Sequence, residues 1–272
     1  MAGLMALLIA LITPQVGFTR TADIAFMPGA RGKLDVYQPR GPHPGAPTVA
    51  FIYGGGWEGG DKTIYRFVGA SLARAGMVVV IPDYRVYPEV RFPAFLEDNA
   101  RAVRWAKDHT ADFGGDPHKL FLMGHSAGAY DVAMLALDPR WLAAVGMDAR
   151  REVRGVIGLS GPYDFLPLNT ATLKAIFGPP EGLPATQPIN YVDGHAPPML
   201  LAAGLADTTV YPRNSVRLQQ AITARGGEAE LVTYPRVRHA DTITAFLPVF
   251  GSGLDVRQRV LAFIERRPMG RA

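Results

Sequence analysis

The chain has no cysteine. That excludes disulfides, thiolate metal sites, a cysteine nucleophile and an anchoring cysteine of the lipoprotein kind, and it leaves the redox compartment open. Membrane-length apolar runs are also missing. The N-terminal stretch from Leu4 to Ile12 is apolar but too short to span a bilayer as a helix. Charge of one sign is not concentrated anywhere: 28 Lys+Arg against 24 Asp+Glu leave a net +4, with short basic clusters only at Arg150-Arg151 and Arg266-Arg267. A nucleic-acid surface calls for a basic stripe, so no nucleic-acid partner is expected. Internal repeats and linker-like stretches are absent as well, and nothing in the sequence signals an oligomeric state.

What is present is a 272-residue chain with 48% hydrophobic and 19% charged residues, enough to bury one large α/β core. Residues 1–20 read as an apolar N-terminal segment ahead of a single domain over 21–272. A signal peptide would have Lys or Arg before the apolar run and a small-x-small site after it, and neither occurs before Arg20. Packing on the domain, with a cytoplasmic location, is the preferred reading; export and contact with a membrane surface stay open.

Beyond residue 20, strands alternate with helices. Strands are expected at Gly32–Tyr37, Thr48–Tyr53, Met77–Ile81, Leu120–Met123, Val153–Leu159, Met199–Ala203 and Ala229–Tyr234, several of them continuously apolar as strands buried on both faces are. Helices are expected at Ile64–Ala75, Phe92–His109, Ala127–Leu137, Ser215–Ala224 and Leu254–Glu265. Alternation of this kind predicts a mostly parallel sheet flanked by helices. Residues 161–198 are proline-rich and weakly periodic, and read as a lid-like insertion over the C-terminal edge of the sheet.

Gly124-His125-Ser126-Ala127-Gly128 fits the G-x-S-x-G nucleophile elbow, and it lies between a predicted strand and a predicted helix, where that motif belongs. The turn is so tight that only small residues fit two positions either side of the serine. A serine hydroxyl needs a base, and the base needs an orienting carboxylate. Of the histidines at 43, 109, 118, 125, 195 and 239, only His195 and His239 follow the serine. His239 comes in a loop just after the strand ending at Tyr234, at the sheet edge where ligands collect; His195 lies in the insertion. His125 sits inside the elbow, with its side chain directed away from that of the serine. Asp207 follows the strand Met199–Ala203 and leaves room for a strand and a helix before His239. Asp241 is too close to His239 in sequence, and Asp164 and Asp193 suit loop capping. The expected triad is Ser126, His239 and Asp207.

Tyr53-Gly54-Gly55-Gly56-Trp57 follows a strand end, and consecutive glycines let backbone N–H groups converge. The amides of Gly54, Gly55 and Ala127 are the expected oxyanion hole. The loop lacks both the Gly-Lys-Ser/Thr ending of a P-loop and the dinucleotide fingerprint spacing. Trp57, Tyr130 and Tyr163 are candidate pocket walls, and core packing accounts for them equally well.

These segments, with Asp83-Tyr84-Arg85, Pro88-Glu89, Phe92-Pro93-Ala94 and Phe113-Gly114-Gly115-Asp116-Pro117, occur in the order found in α/β-hydrolase esterases of the His-Gly-Gly-Gly-Trp type. The chain resembles that group, which includes hormone-sensitive-lipase-like, feruloyl-esterase-like and kynurenine-formamidase-like enzymes, over roughly residues 30–265. The resemblance implies the α/β-hydrolase fold, the same triad and oxyanion residues, and a serine carboxylesterase acting on small to medium esters with no metal or organic cofactor. Tyr53 departs from it, standing where the group usually has histidine. Amide hydrolysis, as by an arylformamidase or peptidase, is the alternative activity, and a non-catalytic binding module on the same fold is a remote one.

Overall fold

The computed structural model describes residues 12–13, 16–247 and 253–267. The apolar N-terminal run lies outside them except for Ile12. Eight strands form one sheet: β1 (Phe18–Ala25), β2 (Lys33–Pro39), β3 (Ala46–Ile52), β4 (Val78–Pro82), β5 (Gly115–His125), β6 (Val153–Leu159), β7 (Met199–Gly204) and β8 (Ala229–Tyr234). Their spatial order is β1-β2-β4-β3-β5-β6-β7-β8. From β4 to β8 every neighbouring pair is parallel, while β1–β2 and β2–β4 are antiparallel.

Burial follows the apolar content. Every residue of β4 and β7 is buried, and β3 is buried except at Pro47, as central strands covered on both faces must be. The sheet is covered by α1 (Arg66–Ala73), α2 (Ala94–His109), α3 (Ala127–Leu137), α5 (Arg213–Ala224) and α6 (Val256–Glu265), and α4 (Ala171–Phe177) stands apart from it, between β6 and β7 in the chain. All eleven residues of α3 are buried, which explains why its sequence is apolar on every face except at Asp131 rather than striped. Helix α2 starts at Ala94 rather than Phe92, with Pro93 in the N-cap position.

Strand β1 differs from expectation. Phe18–Arg20 belong to it rather than to a separate N-terminal segment, and most of its side chains are at least partly exposed. It is an edge strand held by charge: Asp35 of β2, fully buried, accepts from Arg20 (Nε–Oδ2 2.8 Å) and from the backbone of Asp23 (3.0 Å). Such an edge carries no apolar alternation, and its charges discourage pairing with another chain.

Residues 161–198 hold α4 and two 3₁₀ turns, Pro180–Thr186 and Pro188–Tyr191, each with proline in its first turn. Pro162, Phe165, Pro167, Asn169 and Leu173 of this segment line one cavity with Gly56 after β3, Ser126 after β5 and Thr209 after β7.

Candidate active site

Ser126 sits between the end of β5 and the start of α3 with φ 55° and ψ −121°, a left-handed conformation that strains any residue with a Cβ. Neighbouring backbone holds it there. Its N–H donates to the Leu159 carbonyl of β6 (2.9 Å), and its own carbonyl accepts from Ala129 (3.0 Å) and Tyr130 (3.2 Å). A Cβ on Gly124 would lie 2.2 Å from the Gly128 carbonyl oxygen, and one on Gly128 would lie 2.0 Å from that of Ile52. Both positions are therefore closed to every other residue, and the serine side chain is turned out of the sheet.

His239 Nε2 lies 2.8 Å from Ser126 Oγ, and His239 Nδ1 lies 2.8 Å from Asp207 Oδ2. This network fixes the tautomer: Nδ1–H donates to the carboxylate, and Nε2 accepts from the serine hydroxyl. The second oxygen of Asp207 accepts from the amides of Thr209 and Val210, both at 2.9 Å, and its side chain is buried. The loops after β7 and β8 touch at the backbone. A Cβ on Gly204 would meet the Val237 carbonyl at 2.1 Å, and Ala206 N–H donates to that same carbonyl (3.1 Å). His195 takes no part; its amide donates to Asp193 in the insertion.

His125 does point away from the serine, but toward His239. Its Nε2–H donates to the His239 carbonyl at 3.1 Å, the two rings are 5.0 Å apart, and Thr242 Oγ1 reaches the same carbonyl at 3.3 Å. Burial first, and then repulsion from the His239 imidazole, push its pKa down to about 3, so His125 stays neutral and donates from Nε2.

The glycine loop is braced by the motif that follows it. Tyr53 Oη donates to Asp83 (2.9 Å), and the Lys62 amide shares that carboxylate oxygen (2.9 Å). Tyr84 Oη donates back to the Tyr53 carbonyl (2.9 Å), with the two rings stacked 4.8 Å apart. Arg85 forms a two-pronged pair with buried Asp98 (2.8 and 2.7 Å). Tyr53 thus anchors the loop through both its hydroxyl and its carbonyl. Trp57 Nε1 donates to Asp131 Oδ1 on α3 (3.0 Å), and Asn99 of α2 donates to the other oxygen (3.0 Å). Asp131 is fully buried, and that burial raises its pKa well above the usual carboxylate range.

A cavity of about 220 Å³ opens beside Ser126. Its floor is Gly56, Ser126, Ala127 and Trp57; the insertion adds Pro162, Phe165, Pro167, Asn169 and Leu173; the loop after Asp207 adds Thr209 to Tyr211, and α5 adds Arg213 and Asn214. Of the three aromatic residues considered as walls, only Trp57 lines it. Tyr130 and Tyr163 are wholly buried packing residues: Tyr130 Oη donates to the Thr186 carbonyl (2.7 Å), and Tyr163 Oη lies over Gly158. Gly54 is buried against Ser126, where a Cβ would stand 2.8 Å from the serine's own, and Gly56 is the glycine at the cavity surface. Sequence reasoning missed Gly56, Tyr211 and Arg213. Only the position of the last two just after Asp207 could have flagged them. Among the described residues, no group of three His, Asp or Glu side chains is placed to hold a metal ion.

Comparison with known proteins adds an independent line. The chain is 29% identical over 231 residues to an isoprenylcysteine alpha-carbonyl methylesterase of Arabidopsis thaliana, covering 78% of this chain and 54% of that one. It is 29% identical over 250 residues to the esterase LipQ of Mycobacterium tuberculosis, with 83% and 58% covered. The chain spans about half the length of the curated relatives it matches. Among solved structures, the hyperthermophilic esterase of the archaeon Pyrobaculum calidifontis superposes with a TM-score of 0.77 at 25% identity, over 96% of this chain and 87% of that one. A truncated carbohydrate esterase from gut microbiota shares the fold, with a TM-score of 0.81 at 20% identity over 93% and 98% of the two chains. The family model described as BD-FAE matches residues 34–222, a stretch from β2 into α5 that holds the glycine loop, the elbow and Asp207. The chain belongs to the BD-FAE family of α/β-hydrolases.

Proposed function

We propose that the protein is a serine carboxylesterase for small to medium esters. One observation carries this: Asp207, His239 and Ser126 form an unbroken relay, with 2.8 Å at each link, and the strained serine opens into a small, largely apolar cavity. Esterases among the relatives and structural neighbours support the same reading. The cavity is below the roughly 300–1,000 Å³ of drug-sized ligand sites, which suits short acyl chains.

As Ser126 Oγ attacks the ester carbonyl, its proton passes to His239 Nε2. The imidazolium so formed is balanced by Asp207, whose carboxylate the Thr209 and Val210 amides keep in place. Negative charge on the tetrahedral oxygen is taken up by backbone amides of the Gly54-Gly55-Gly56 run and of Ala127, assisted by the N-terminus of α3. His239 then protonates the leaving alcohol. Water repeats the sequence on the acyl-serine to release the acid.

The test is a 4-nitrophenyl ester series from acetate to laurate on wild type and Ser126→Ala, with a formamide substrate in parallel. Ester turnover that peaks at short chains and falls by several orders of magnitude in Ser126→Ala is expected. Turnover of the formamide alone would move the reading to amide hydrolysis, and a Ser126→Ala variant near wild type would remove Ser126 from the chemistry.

A further inference from the structure

We infer that Arg213 makes this site selective for ester substrates that carry a carboxylate; the inference rests on the esterase reading above. Among the described residues that line the cavity, Arg213 is the one charged side chain, with no Asp or Glu beside it. It is exposed at the first position of α5, with its guanidinium carbon 5.2 Å from the centre of the Tyr211 ring. Tyr211 is 51% exposed, a large aromatic left open at the cavity rim.

The nearby acids are committed elsewhere. Asp164 of the insertion pairs with Arg217 (2.6 Å), and Asp207 is bound to His239 and two amides. Among the described residues, no carboxylate lies within ion-pair distance of Arg213. The guanidinium lies over the Tyr211 ring without an ion-pair partner among the described residues, and its fork of donors is available for a planar anion.

The backbone that presents it is tied down by hydrogen bonds. Asn214, the next residue, is buried; its side-chain oxygen accepts from the amides of Tyr163 and Asp164 (2.9 and 2.8 Å), and its Nδ2 donates to the Tyr211 carbonyl (3.0 Å). One side chain thus ties the insertion, the Tyr211 turn and the start of α5 together. A group held on such a frame discriminates between ligands better than one on a mobile loop.

The experiment compares substrates that differ only in charge, on wild type, Arg213→Gln and Arg213→Lys. One pair is mono(4-nitrophenyl) adipate and its methyl ester, which places the carboxylate on the acyl side. The other is 4-carboxyphenyl butyrate and its methyl ester, which places it on the leaving alcohol. The readout is the acid-to-methyl-ester ratio of kcat/KM within each variant, so any general loss of activity cancels.

On at least one pair the wild-type ratio should exceed that of Arg213→Gln by about tenfold, the value of one charged hydrogen bond, with Arg213→Lys between them. That excess should shrink as salt is raised. The pair that responds identifies the side of the ester that faces Arg213. Equal ratios in wild type and Arg213→Gln on both pairs would overturn the inference while leaving esterase activity standing. If wild type hydrolyses no ester, the esterase reading fails separately, and equilibrium binding of mono(4-nitrophenyl) adipate then decides: about tenfold weaker binding to Arg213→Gln supports the role of Arg213, and equal binding ends it.

Discussion

Acidification should expose how His125 is held. Its Nε2–H is bound to the His239 carbonyl, and its Nδ1 is buried without a partner among the described residues. A Cβ on Gly54 would sit 3.2 Å from that nitrogen, so there is little room beside it for a compensating group. Burial, followed by the neighbouring His239, lowers the pKa to about 3, and the hydrogen bond to the His239 backbone only partly opposes this. In the unfolded chain the same side chain titrates near 6.5. The native pKa is thus depressed for a basic group. Above pH 6.5 both states are neutral and His125 adds no pH dependence. Below it the unfolded chain binds a proton that the native state refuses, and stability falls by about 1.4 kcal/mol per pH unit until the native pKa is reached.

Between pH 7.5 and 4.5 that loss amounts to about 2–3 kcal/mol from this one residue. Urea unfolding of wild type and His125→Gln across that range would measure it. Gln keeps an amide donor but cannot titrate, and every other ionisable group is common to both proteins, so the gap between the two unfolding free energies isolates His125. The variant should gain on wild type by about 2–3 kcal/mol as pH falls. A gap that stays constant to within about 0.5 kcal/mol, the scatter of an ordinary surface substitution, would refute the argument.

Three further outcomes are expected. Asp207→Asn removes the charge that balances the His239 imidazolium and should lower kcat by about 10³–10⁴-fold with KM nearly unchanged; steady-state kinetics showing a loss below about tenfold would contradict the assigned relay. Trp57→Phe leaves the buried Asp131 carboxyl with Asn99 as its remaining donor and should cost about 1–3 kcal/mol in urea unfolding. Gly128→Ala drives a Cβ into the Ile52 carbonyl and should yield no folded protein by circular dichroism and size exclusion; a variant with the wild-type Tm would show that the elbow can relax.

The parts of the fold that were legible in the sequence are those whose structure follows from local pattern. Helix α3 runs over the expected residues because Ala127 to Leu137 is apolar except at Asp131, and β6 and β8 coincide with the strands expected from their mostly apolar content. Strand β1 was not legible. Phe18 to Arg20 fall in the expected N-terminal segment, and what makes them a strand lies outside them: the β2 backbone beside them, and Asp35, which holds Arg20. The helical spacing from Phe95 onward does not show where the helix starts, and α2 begins at Ala94, just after Phe92-Pro93.

The same division runs through the candidate site. The elbow could be read because Gly124, Ser126 and Gly128 constrain one another within five residues, and Asp207 and His239 because each follows an apolar strand that ends at the same sheet edge. Tyr130 and Tyr163 were ambiguous, since an aromatic residue near an elbow packs inward or outward according to helices that the local sequence does not describe. Arg213 and Tyr211 come to the cavity rim only because Asn214 ties the insertion to the Tyr211 turn and the start of α5. His125 is the intermediate case: its direction follows from the strained φ of the next residue, but its partner is a carbonyl 114 positions away. The placing of the candidate residues was legible because it depends on a few local turns at one sheet edge. Selectivity was not, because a pocket wall exists only once distant segments have closed around it.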